Sequence, residues 1–343
     1  MSKTGTTAIQ NTLAKNFDWL KAEGHLYPIF GRNNGGSSHH QLVRLIKRAK
    51  NISDIIGLFD EIDKSCCQSV IISSELFEGL QAGHWEKVKL YFSDYEVNLV
   101  VYLRRQDQAI ISMYQELTKK HACDQPFQDY INSSVRLKKL DYADFLDRLA
   151  SIFGKKALIV RIFDSHKLVD GDVRTDFFSL FGLNDFHFPA QQRANVSTAA
   201  STSFVMAQIN SQAHFSIDHA ADYGLATSLS KFLDNEFLEA FAGEEFAFFE
   251  SEEQQRFFLK KFANSNDQVA AEFFDGDEMF SEIADENPKF ATFSDDDMHK
   301  YLNRALSSVL AHFSVEASIQ AKSRLVGAAW IELIEALRGK QDN

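Results

Sequence analysis

Hydrophobic and polar positions change period along this chain. Apolar residues at helical spacing (Ala8, Ile9, Leu13, Leu20) predict a helix over residues 7–22. A polar Gly- and Asn-rich loop spans residues 31–38, and its closing Ser37-Ser38 is suited to cap a helix beginning near His39. Two helices are predicted over 39–62. The short β-branched run 69–73 reads as a buried strand, and 85–92 as a helix. The strongest strand pattern is 97–103 (Val-Asn-Leu-Val-Val-Tyr-Leu), which ends at Arg104-Arg105. Helices over 108–121 and 142–153, a third strand over 157–163 and a helix over 175–181 follow.

Strands alternating with helices up to about residue 185 predict an α/β fold, a parallel sheet flanked by helices. Ligands bind such sheets at the C-terminal strand edge, where the Lys3 loop, the Ser73–Glu75 turn and the Arg104 turn would meet. From Ser201 onward only helical patterns occur, through 204–211, 225–241, 252–274, 298–313 and 315–337. The acidic clusters Glu244-Glu245 and Asp295-Asp296-Asp297 read as solvated helix ends, the second favouring a helix N-terminus. The expected organisation is an α/β core over 1–199 and a mostly helical C-terminal region over 200–343, packed on the same domain.

Composition narrows the partners. The chain has 343 residues, is 45% hydrophobic and has 4 Pro, so it is globular and can bury a sizeable core. Its 31 Phe fall mostly at helical spacing in the second half, which points to aromatic core packing. A net charge of −12 argues against a general nucleic-acid or acidic-membrane binder, while leaving room for a locally basic pocket. Cys66, Cys67 and Cys123 have no C-x-x-C spacing, so reduced thiols in a cytoplasmic protein are expected. No apolar leader and no transmembrane run of about 18 residues is visible.

Two elements carry candidate chemistry. Lys3-Thr4-Gly5-Thr6-Thr7 joins a cation, a glycine and hydroxyls at a helix start. That combination suits an anion, because the glycine lets the backbone approach while hydroxyls and first-turn N–H groups donate. The alternative is an ordinary helix start capped by Thr. It is not a Walker loop, because the Gly-Lys-Ser/Thr order is absent, which also disfavours a P-loop kinase. The second element runs from Leu103 to Tyr114: Arg104 leaves a hydrophobic strand, and Ser112 follows eight residues later in the next helix. Arginine offers a planar bidentate donor for phosphate, and serine adds a hydroxyl. A surface Arg with an unrelated helical Ser is the alternative.

In this order, the two elements resemble the sulfotransferases that use 3′-phosphoadenosine 5′-phosphosulfate (PAPS). That family has a Lys-x-Gly-Thr-Thr/Ser loop for the 5′-phosphosulfate and a strand-Arg-x7-Ser element for the 3′-phosphate. Further pieces fit bacterial, carbohydrate-sulfotransferase-like members: Gly24-His25-Leu26-Tyr27-Pro28, His39-His40-Gln41-Leu42, Ile72-Ser73-Ser74-Glu75, Leu140-Asp141-Tyr142 and Arg193-Ala194-Asn195-Val196-Ser197. The resemblance covers residues 3 to about 200 well and the helical remainder weakly.

The resemblance implies a P-loop-like sheet and sulfation of a hydroxyl on a glycan or glycolipid. Lys3 would neutralise the leaving bridging oxygen. Thr4, Gly5, Thr6 and Thr7 would hold the 5′-phosphate, and Arg104, Ser112 and Arg193 the 3′-phosphate. The general base is sought among His39, His40 and Glu75, with His40 ranked slightly first. PAPS is the only co-substrate implied, with no metal. One departure stands out: the family's Lys loop follows a central strand, which Met1-Ser2 cannot supply. The first central strand is therefore expected to be missing. The alternative reading is an N-terminally truncated, non-catalytic binding protein of the same fold. Acceptor identity and oligomeric state are not legible.

Overall fold

The computed structural model describes residues 3–33, 36–120, 123–183, 199–213, 220–240, 246–281 and 293–312. Among these the chain is α/β and mostly helical, with short parallel strands. It runs through α1 (Thr6–Lys15), α2 (Phe17–Ala22), β1 (His25–Leu26), α3 (His40–Arg48), α4 (Ile56–Ser65), β2 (Ser69–Val70), α5 (Ala82–Tyr91) and β3 (Leu99–Leu103). Next come α6 (Gln106–Lys119), α7 (Phe127–Ile131), α8 (Ser134–Lys139), α9 (Tyr142–Phe153), β4 (Leu158–Ile162) and α10 (Val173–Ser179). The last helices are α11 (Ala200–Ala213), α12 (Ala220–Ala240), α13 (Glu252–Lys260), α14 (Ala263–Phe273) and α15 (Asp295–His312). The pattern at 315–337 lies outside the described residues.

The chain divides into two compact units, each assembled from three stretches. The first is Met1–Arg105, Asp141–Gln192 and Asn264–Ser281; the second is Gln106–Leu140, Arg193–Ala263 and Glu282–Asn343.

Among the described residues the strands lie in the first unit. β1 pairs in parallel with β2, and β3 in parallel with β4, as two separate two-stranded sheets. Period-two alternation sends successive side chains to opposite faces. Leu99, Val101 and Leu103 of β3 enter one apolar cluster, with Leu158, Val160 and Ile162 of β4. Val100 and Tyr102 enter another, with Phe163. Helices α3, α4, α5, α9 and α14 cover the first face, through residues such as Val43, Leu58, Val88, Leu146 and Val269. Helices α1, α2 and α10 cover the second, through Ile9, Leu20 and Phe177. Covering both faces is why the strands read as continuous apolar runs.

Two local expectations are corrected, and one element was not predicted. The Gly24–Pro28 stretch contains a strand, β1, too short at two residues to show a period. No serine caps α3: its N-cap is His39, with no side-chain bond, while the Ser37 hydroxyl donates to Asn11 Oδ1. The single pattern over 252–274 is two helices, α13 and α14.

In the second unit the described elements are helices. Its core gathers Ala109, Ile110, Tyr114, Phe127, Tyr130, Ala207, Phe249, Phe258 and Phe262. The rings pack edge to face, as in Tyr114–Phe127 with centroids 5.2 Å apart, a preferred aromatic geometry. Much of the phenylalanine is thus core material, as its spacing predicts.

Candidate functional site

The site lies in the first unit, at the C-terminal ends of β2 and β3. The chain reaches it through a tight turn. Lys3 and Gly5 adopt left-handed backbone conformations, with φ of 64° and 73°. Glycine is required at position 5 on two counts. Its φ disfavours a side chain, and a Cβ there would stand 2.7 Å from Val173 Cγ1 and 2.9 Å from Phe163 Cε2. Thr4 is fully buried beside it, and Thr7 is exposed.

Helix α1 leaves this turn with Gly5 as its N-cap, no side-chain cap and no acidic residue in its first turn. The threonines therefore do not cap the helix. Its first N–H groups and the positive end of its dipole are left for another partner, water or an anion.

The turn is tied to both neighbouring strand ends. Thr6 Oγ1 donates to Glu75 Oε1 at 2.6 Å, and Gln10 Nε2 donates to Ser73 Oγ at 3.2 Å, both just beyond β2. On the other side Arg104 Nη1 donates to the Lys3 carbonyl at 3.1 Å. The Arg104 guanidinium also sits 5.5 Å from the centroid of the Phe163 ring, a cation–π contact that helps fix its plane. The Tyr142 hydroxyl holds the Arg104 carbonyl at 2.5 Å.

The two adjacent histidines differ sharply. His39 is fully buried. Its Nδ1 accepts from the Ser73 N–H at 3.2 Å, so the ring proton sits on Nε2 and is donated to the Pro28 carbonyl at 2.9 Å. Burial is the main reason its pKa falls to about 4. With both nitrogens committed and no access to solvent, His39 is a structural link between α3 and the β2 edge. It is not a proton acceptor for a substrate, and that candidate is withdrawn.

His40 is half-buried. Its Nδ1 lies 2.7 Å from Ser74 Oγ, and its Nε2 lies 3.4 Å from Glu75 Oε2. Ser74 itself accepts from the Leu76 N–H at 3.2 Å. The serine hydroxyl can thus donate to Nδ1, which leaves Nε2–H directed at the carboxylate. Glu75 is therefore the centre of a line running Thr6–Glu75–His40–Ser74.

Lys3, Thr4, Gly5, Thr6, Thr7, His40, Glu75 and Arg104 thus gather at one end of the first unit. Ser112 belongs to the second unit, buried on α6. Arg193 lies outside the described residues. Ser74, Gln10 and Phe163 support the site and were not singled out by sequence. Ser74 had a signal, its place in the Ser73-Ser74-Glu75 turn; Gln10 and Phe163 had none. Among the described residues no cluster of three or more His, Cys, Asp or Glu has metal-holding geometry, and no helix is long and apolar enough to cross a membrane.

Comparison with known proteins gives one relative to report. Over 266 residues, 75% of this chain and 68% of the relative, the chain is 26% identical to an uncharacterized protein of Archaeoglobus fulgidus. No family model matches the chain. No solved structure matches it.

Proposed function

We propose that the first unit is the nucleotide-binding part of a sulfotransferase that moves a sulfuryl group from PAPS to a hydroxyl acceptor, a glycan or glycolipid. The observation that carries this reading is the Lys3–Thr7 turn. It opens an uncapped helix and is bonded on one flank to the Glu75 turn and on the other to Arg104. An anion seated there would meet backbone N–H groups, the exposed Thr7 at the start of α1, an ammonium and a guanidinium, while the Thr6 hydroxyl stays committed to Glu75. Two parallel strand pairs bracketing a turn-and-helix element are compatible with a P-loop-like sheet.

In this reading Lys3 neutralises charge on the bridging oxygen as the sulfur–oxygen bond to the 5′-phosphate breaks. The acceptor oxygen forms the new bond to sulfur and gives up its proton to the Glu75–His40 pair. Catalysis is then mostly positioning and charge stabilisation, with 3′-phosphoadenosine 5′-phosphate as the leaving product.

The test is calorimetry with 3′-phosphoadenosine 5′-phosphate. Saturable binding is expected, weakened about tenfold to a hundredfold by Arg104→Ala, the loss of a charge-assisted hydrogen bond. Absence of binding sinks the reading. Binding without turnover across a panel of glycan acceptors, with labelled donor, leaves a nucleotide-binding protein that does not catalyse.

A further inference from the structure

The first unit contains a local reversal of charge. Residues 24–53 include no Asp or Glu. The chain has 48 acids in 343 residues, so about four would be expected in a stretch of that length. The same stretch holds the cations Arg32, Arg44, Lys47, Arg48 and Lys50, in a protein of net charge −12.

Helix α3 aligns most of these cations. Leu42, Val43 and Ile46 are its buried residues. His40, Arg44, Lys47 and Arg48 stand at i, i+4, i+7 and i+8, so they share the opposite face. Arg44, Lys47 and Arg48 are exposed, as is Lys50 just past the helix end. Among the described residues none of these four cations forms an ion pair. From His40 to Arg48 the stripe rises about 12 Å. Lys87 of α5 adds a further cation at its end, where Nζ donates to the Ala49 carbonyl at 3.0 Å.

The stripe leads out of the site already described. The 3₁₀ turn Glu75–Gly79 runs beside it. At one end of that turn Glu75 faces His40 Nε2; at the other, a Cβ on Gly79 would stand 4.0 Å from Lys47 Nζ.

Helix stability accounts for only part of this pattern. Cations in the last turn complement the helix dipole, which covers Lys47 and Arg48. The dipole equally favours acids in the first turn, and α3 has none there. Arg44 lies between the two ends. Like charges at i, i+3 and i, i+4, here Arg44 with Lys47 and Arg48, destabilise a helix, and a bound anion relieves their repulsion.

The shape of the stripe selects among polyanions. It is one helix wide, and the elements packed against α3 carry acids: Glu78 on the 3₁₀ turn, Glu86 on α5, and Asp54, which accepts from the Lys50 N–H at 2.9 Å. A flat anionic membrane would meet those acids together with the cations, whereas a linear chain follows the stripe alone. Residues 39–50 include no Phe, Tyr or Trp on which the bases of a nucleic-acid strand could stack. We infer that the exposed face of α3 is the docking track of a linear anionic glycan, one bearing carboxylates or sulfates, whose end lies at the Glu75–His40 pair. The track stands on charge and geometry; only the role of its occupant as sulfuryl acceptor rests on the sulfotransferase reading.

The test is calorimetry of the full chain with a galacturonate hexamer, and with its methyl ester as the neutral counterpart. The acidic hexamer is expected to bind, more weakly as salt rises, and the ester is not. The triple variant Arg44→Gln, Lys47→Gln, Arg48→Gln should lose at least about tenfold in affinity. The pair Lys138→Gln, Lys139→Gln, exposed cations of the second unit, should leave it unchanged. No binding of the hexamer, or equal losses in the two variants, overturns the inference. Tighter binding of phosphatidylserine vesicles or of a short thymidine oligonucleotide than of the hexamer also overturns it, and assigns the face to a membrane or to a nucleic-acid strand.

Amide shift mapping on the unsubstituted protein gives a second measurement, free of any folding defect in the variants. Hexamer-induced shifts concentrated at residues 40–50 are expected, and shifts concentrated elsewhere overturn the inference. Titration of 3′-phosphoadenosine 5′-phosphate separates the two readings. Hexamer binding at α3 without nucleotide binding upholds the track and removes the sulfotransferase, and nucleotide binding without hexamer binding does the reverse.

Discussion

Two carboxylates in the first unit, Asp176 and Glu75, sit in clusters of similar composition and opposite character. The Asp176 side chain is fully buried. It accepts from the Tyr102 hydroxyl at 2.7 Å, from Arg161 Nε at 3.0 Å, and from the Val169 N–H at 3.1 Å, with a second Arg161 nitrogen on its other oxygen. Burial pushes its pKa up, but the bonds from Arg161, Tyr102 and Val169 outweigh it and hold the carboxyl below its ordinary value. Glu75 is a quarter exposed, accepts from one hydroxyl and faces one imidazole. The difference is one of saturation and access to water. A carboxylate enclosed by inward-facing donors fixes elements together, here β3, β4 and α10. A carboxylate with few partners at a strand end has capacity left for a ligand or a proton.

The largest expected effect tests the saturated side. Asp176→Ala leaves the Tyr102 hydroxyl and the Arg161 guanidinium without their common acceptor. Breaking a buried charged pair of this kind costs about 3 kcal/mol of stability, eased here because Arg161 reaches solvent. Urea unfolding measures it. A loss below about 1 kcal/mol would mean that saturation does not distinguish the two clusters.

The next effect depends on pH and concerns His39, the buried counterpart of His40. Its pKa is lowered to about 4 in the folded chain, against an ordinary value of 6.5. The unfolded chain therefore binds more protons between these values, and stability falls as pH drops from about 6.5 toward 4. The full drop is about 3 kcal/mol. Denaturant midpoints from pH 7.5 to 4 should follow that slope, and His39→Gln should flatten it. A slope that survives His39→Gln belongs to other groups, and His39 then loses its assignment as the buried neutral link.

How much of this was legible depends on how local each cause is. The α9 helix and the β3 and β4 strands were readable because burial imposes a period or a continuous run over five or more residues. The Lys3–Thr7 turn was readable because glycine, cation and hydroxyls stand together in sequence. β1 was not, since two residues carry no period. The choice between His39 and His40 was not readable either. Identical side chains at adjacent positions are sorted by Ser73 and Ser74, 34 residues away in each case. The Asp176 cluster was invisible for the same reason, with partners 74 and 15 residues distant. Ser112 and Arg104 were joined by sequence spacing alone, and the chain passes from one compact unit to the other between Arg105 and Gln106.

The smallest expected effect on stability tests the open side. Glu75→Gln keeps an oxygen to accept from Thr6 and removes the negative charge facing His40. Partly solvated, the pair contributes little, so unfolding stability should change by less than about 1 kcal/mol. Anion binding should move the other way. Glu75 is bonded to Thr6, the first residue of α1, and so places a negative charge beside the helix end that is to receive an anion. Removing that charge should tighten binding of 3′-phosphoadenosine 5′-phosphate by about twofold to fivefold at low salt, an effect of helix-terminus electrostatics that salt screens. Calorimetry at two ionic strengths measures it. A stability loss above about 2 kcal/mol with unchanged affinity would make Glu75 a second Asp176, and the contrast between the two clusters would collapse.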